Sequence, residues 1–119
     1  MRIVIKSIPH KKQRYETIGD WIVKNGELKE IRVSKAKDDN IEFLIAVHEF
    51  IEAWLCLKRG ITQKEVDNFD IQFEFSRKKG DISEPGDSPK APYHKEHQFA
   101  SAIESAIAKQ LGLYPQYTS

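Results

Sequence analysis

The sequence holds a single cysteine, no run of twenty apolar residues and no excess of one charge, with 19 Lys plus Arg against 18 Asp plus Glu. Each shortage excludes something. One thiol, Cys56, cannot close an internal disulfide, so a reducing compartment, the cytoplasm, is the expected setting. Without a long apolar run no membrane span is expected. Balanced charge offers no field of one sign to hold phosphates, so no nucleic acid partner is indicated. The opening MRIVIKSIP alternates as a strand does, and no long apolar region or small-residue cleavage site follows it, which argues against a cleaved secretion signal. What is present, 119 residues of which 39% are hydrophobic and 31% charged, suits one soluble globular domain spanning residues 1–119.

Along the chain, Arg2 to Ile8 reads as a strand ended by Pro9. Gly19 to Val23 and Leu28 to Val33 flank Asn25-Gly26, a pair that tolerates positive φ and predicts a hairpin. A small, largely antiparallel sheet is therefore expected. Asp39 with Glu42 forms a capping-box pattern opening a helix that Lys58-Arg59-Gly60 closes, and apolar groups all round it make it the central helix. Thr62 with Glu65 opens a second helix towards Arg77, with a strand over Gln72 to Phe75 as the alternative. Lys78 to Pro92, with Gly80, Pro85, Gly86 and Pro89, is expected to form an irregular loop, and its length is one usually kept for function or disorder. A last helix runs from Tyr93 to Leu111, ended by Gly112 and followed by the tail Tyr114 to Tyr117. Trp21, Trp54 and Cys56 read as packing residues, and His10 to Arg14 as a solvated loop. The class is α+β: a small antiparallel sheet, a central helix and two further helices.

The central helix contains His48-Glu49-Phe50-Ile51-Glu52 inside an apolar run. At about 100° per residue His48 and Glu52 share a stripe with Leu44, Ile45 and Leu55, where a core would want leucine. An unpaired buried carboxylate costs several kcal/mol or neutralises itself, so Glu52 needs a donor or a cation. Neutral imidazole and carboxylate together suit zinc, with manganese or magnesium as the alternative, and a catalytic zinc takes three protein ligands and an open position. The expected third ligand is His97, with His94 and Asp70 as competitors. Glu104, two turns beyond His97, either orients that imidazole or is solvated. Glu49 is the expected general base. Two plainer readings stand beside this one: a metal-free core pair of His48 with Glu52 or Asp70, and a phosphoester hydrolase using Glu49, Glu52, Asp70 and His97 around a harder ion.

Tyr15, Ile18-Gly19-Asp20-Trp21, Ala46 to Cys56, Val66 to Asp70, Pro85-Gly86-Asp87 and Ala91 to His97 together resemble a group of small uncharacterised proteins of tailed phages and prophages. That resemblance implies a host-cell cytoplasmic setting and names no activity. The helix motif also resembles that of zincin metallopeptidases, a sheet followed by an HExxH helix. His48 matches the first ligand and Glu49 the catalytic glutamate, while Glu52 stands where those enzymes have a second histidine. It implies a minimal zinc-dependent, peptidase-type hydrolase acting on a peptide or protein. The alternative is a non-catalytic accessory protein with a structural metal or a buried polar cluster. Oligomeric state is unspecified.

Overall fold

The computed structural model describes residues 1–113, so the tail at Tyr114 to Tyr117 lies outside the described residues. Strands β1 (Val4–Ile8), β2 (Gly19–Lys24) and β3 (Glu27–Ser34) form one sheet in the order β1-β3-β2. Asn25 and Gly26 take φ of 53° and 74°, giving the tight antiparallel β2–β3 turn expected of them. The sheet is nevertheless mixed, because β1 runs parallel to β3. Segment 9–18 crosses the end of β3 and re-enters on the far edge as β2. Backbone bonds from Ser34 N to Ile18 O and from Lys35 N to Ile8 O, both 2.8 Å, fasten that crossing.

His10 to Arg14 is solvated as expected, though His10–Lys12 forms a turn of 3-10 helix there, and His10 Nδ1 and Gln13 Nε2 meet the Ser34 hydroxyl at 2.9 and 3.1 Å. Arg14 grips Asp20 and Asp67 together, two bonds to each carboxylate, and so ties the crossing to β2 and to the second helix. The register slips between Ile22 and Val23, leaving Lys29 as an extra residue in β3. That bulge lets Leu28 and Ile31, an odd number of positions apart, both face the core.

Helix α1 (Asp39–Lys58) packs on β2 and β3 with one side and on α3 (His94–Gln110) with another. Its cap is Asp38, whose carboxylate accepts from Asn40 N at 2.8 Å, rather than the expected Asp39–Glu42 box. Glu42 turns away to Ala36 N and the Ser7 hydroxyl, both brought within reach by β1 and the end of β3. Helix α2 (Gln63–Phe75) opens on the Thr62–Glu65 box and stays helical through Phe75, so the strand alternative fails. Gly60 and Gly112 both adopt φ of 75° just past α1 and α3. The loop before α3 carries one turn of 3-10 helix at Pro85–Asp87, structure the prolines were expected to forbid, because Pro85 occupies the first position, where no N–H is needed.

Ile31 and Val33 of the sheet are essentially fully buried and pack with Ala53 and Cys56 of α1 and Tyr93 before α3. Each such aliphatic side chain contributes about 2 kcal/mol of transfer free energy. Among the described residues no helix is long and apolar enough to cross a membrane.

Candidate metal centre

Packing α1 against α3 brings His48, Glu52 and His97 to one point. Glu52 Oε2 lies 2.9 Å from both His48 Nε2 and His97 Nδ1, and the two nitrogens are 3.2 Å apart. All three residues are buried. Ligand atoms around a tetrahedral zinc with bonds of about 2.0–2.1 Å stand about 3.3 Å from one another, so this triangle is nearly one face of such a site.

The remaining ring nitrogens show why the arrangement is unusual. His48 Nδ1 is 2.8 Å from Glu104 Oε1, close though not aligned as a hydrogen bond. His97 Nε2 is 3.0 Å from Asp87 Oδ1 and 3.3 Å from Glu84 Oε2. Ionised carboxylates only accept, and each imidazole has one beside both of its nitrogens. With a single proton per ring on the outer nitrogen, His48 Nε2, His97 Nδ1 and Glu52 Oε2 are three electron-pair donors facing each other, an assembly that a metal ion or two additional protons would satisfy.

Without metal the protons prevail. Burial pushes the His48 imidazole down, but Glu104 and Glu52 outweigh it and raise it from 6.5 to about 11. Burial likewise opposes His97, which Glu52 and Glu84 raise to about 10. Glu52, although burial favours its neutral form, is held below the ordinary carboxylate range by its bonds to both imidazoles.

The other sequence candidates fall in different places. His94 bonds through Nδ1 to Gly86 O at 2.8 Å and does not join the triad. Asp70 turns inward, yet its oxygens are occupied by Tyr15 Oη at 3.0 Å and by Tyr93 Oη. Burial raises its carboxyl to about 7 against the pull of those phenols. Glu104 is neither solvated nor attached to His97: it is 1% exposed and serves His48, because two turns along α3 it reaches the far edge of the α1 imidazole. The partner of His97 is Asp87, which sequence reading missed. Gly86 was the available signal, since a Cβ there would overlap the His97 ring.

Glu49 lines the same cleft, of about 640 Å³, as the three donors. It packs over Gly19, where a Cβ would come within 2.8 Å of its carboxyl carbon. Burial, then the Glu52 charge, pushes its carboxyl well above the ordinary range. Glu84, Asp87 and His97 form a second cluster, but it uses the outer nitrogen of the same imidazole and its carboxylates are partly exposed. They act as partners of His97. Comparisons with protein-family models, curated proteins and solved structures return no match.

Proposed function

We propose that the chain is a minimal zincin-like metal-dependent hydrolase, peptidase-type, with His48, Glu52 and His97 as ligands and Glu49 as base. The observation that carries it is the convergence of two imidazole nitrogens and one carboxylate oxygen, with a carboxylate behind each imidazole. Carboxylates on the outer nitrogens are the usual support of metal-binding histidines. Two imidazoles with one carboxylate favour zinc over magnesium, and both phenols on Asp70 withhold it from a harder-ion cluster.

Bound zinc would supply Lewis-acid activation of water and polarisation of a carbonyl. The chain supplies the rest. Glu49, raised by burial, accepts a proton at the cleft wall and returns it to the leaving amine. With metal held by His48 Nε2 and His97 Nδ1, the charges of Glu104 and Asp87 would keep the remaining ring protons on the outer nitrogens. Glu52 in place of a histidine adds negative charge, which weakens the acid and points to a slow enzyme. The phage-encoded, cytoplasmic setting belongs to the same proposal and rests on sequence resemblance alone.

Elemental analysis of untagged protein purified without added metal tests the ligands: zinc near one equivalent is expected, and His48→Ala should remove it. Iron or manganese in its place would change the chemistry, and no metal would leave a buried polar cluster in a non-catalytic accessory protein. Glu49→Gln separates the two remaining readings. It should keep the metal and lose peptide cleavage, and undiminished cleavage would end the assignment of the base.

A further inference from the structure

The β2 wall of the cleft is closed to strand addition. Gln63 of α2 donates from Nε2 to Trp21 O and accepts from Val23 N at 2.9 Å. Trp21 N donates to Asp20 Oδ1 at 2.9 Å, and Gly19 O accepts from Thr17 Oγ1 at 2.7 Å. An extended backbone therefore finds these edge groups already satisfied. Recognition has to come from side chains.

Those side chains are acidic. Among the described residues ten Asp or Glu line the cleft, with Arg77 as its one arginine and no lysine, although charge over the whole chain balances. Some of this acidity is already matched, by Arg14 on Asp20 and Asp67 and by Arg77 on Glu74. Around the three donors it is matched only in part, since four carboxylates, Glu52, Glu104, Asp87 and Glu84, face two imidazoles. One acceptor also lacks a donor: Oε2 of Glu104, a cleft-lining residue only 1% exposed, makes no hydrogen bond. An unmatched buried acceptor is costly, and an incoming donor relieves it.

We propose that the cleft takes a primary ammonium or guanidinium group, as carried by a lysine or arginine of a peptide, read by charge instead of by strand pairing. This rests on the cleft being the substrate site of the proposed hydrolase and names the class of substrate. Electrostatic attraction of this kind fixes orientation and speeds encounter, and salt weakens it.

The test is an amide-resolved NMR titration of the full, zinc-loaded chain with three probes: the blocked pentapeptides Gly-Gly-Lys-Gly-Gly and Gly-Gly-Glu-Gly-Gly, and spermidine. The lysine peptide should shift Ile18, Gly19, Ile82 and Glu84, with affinity falling about fivefold or more from about 50 to about 500 mM salt. The glutamate peptide should shift none of them. Glu84→Gln, a partly exposed position, should weaken lysine-peptide binding by about threefold or more. A response to spermidine alone would support the ammonium chemistry and assign it to a free polyamine. Equal response to the glutamate peptide, or lysine binding indifferent to both salt and Glu84→Gln, would overturn the proposal. Metal content measured on the same samples separates the two claims: lysine binding without retained metal ends the hydrolase reading only, and retained metal without lysine binding ends this one only.

Discussion

The two imidazoles of the centre are held by unlike walls. His48 stands between two packed helices, with Glu52 and Glu104 both almost fully buried. His97 shares Glu52 but is backed by a loop turn whose Asp87 and Glu84 side chains are 49% and 31% exposed. Water can replace a lost partner on the loop wall and cannot on the helix wall. The same ligand type should therefore respond differently to the same loss: on the helix wall binding and folding are coupled, and on the loop wall binding suffers alone.

The largest effect should come from Glu52→Ala, which removes the group shared by both walls. Metal retention should vanish and the metal-free fold should lose about 3–5 kcal/mol in chemical denaturation, as for a broken buried ion pair. A variant that keeps its metal would remove Glu52 from the ligand set. Glu104→Gln should follow, lowering zinc affinity by about 100-fold in competition with a chelator and lowering the melting temperature as well. Asp87→Asn should cost only about 10-fold and leave the melting temperature nearly unchanged. If the two variants prove equal in both measurements, the contrast between the walls is false.

Protons sharpen the same contrast. In the metal-free protein both imidazoles are raised above 6.5, so their stabilising contribution is complete below that value and is lost as pH rises through about 10 to 11. Glu52 acts in the opposite sense, stabilising above the ordinary carboxylate range and failing as pH falls through its depressed value. Zinc must displace the imidazole protons, so affinity should rise with pH, and binding at neutral pH should release protons, seen by calorimetry in buffers of different ionisation heat. Binding without proton release would contradict the doubly protonated centre. The smallest effect belongs to Asp70. Its carboxyl is raised from 3.8 to about 7, so its contribution is complete below the lower value and lost as pH climbs through the upper. Asp70→Asn should flatten the stability profile across that window and leave zinc affinity alone.

The convergence of the three side chains was legible because chemistry and period coincided: His48 and Glu52 lie one turn apart on an apolar stripe, and His97 was the imidazole nearest the apolar face of the last helix. Their carboxylate partners were not legible. Glu104 was foreseen as support for the wrong ring, since the offset of α3 against α1 is set by packing and leaves no mark on the spacing. Asp87 sits in a loop whose prolines advertised irregularity, and only the close approach of Gly86 to the His97 ring reveals the docking. The parallel pairing of β1 escaped for a similar reason. Alternation reports which face a strand buries and says nothing of which neighbour it chooses.

By itself, then, the amino-acid order determined what depends on neighbours a few residues apart: the Asn25-Gly26 turn, the Thr62–Glu65 cap, three helices, and an imidazole beside a carboxylate on one of them. Tertiary structure alone decided what depends on distant segments meeting. It set β1 beside β3, Arg14 between two aspartates, phenols on Asp70, and a separate carboxylate behind each imidazole. Local hydrogen bonds and helical period act within a turn or two of chain, whereas those pairings follow from which surfaces exclude water together.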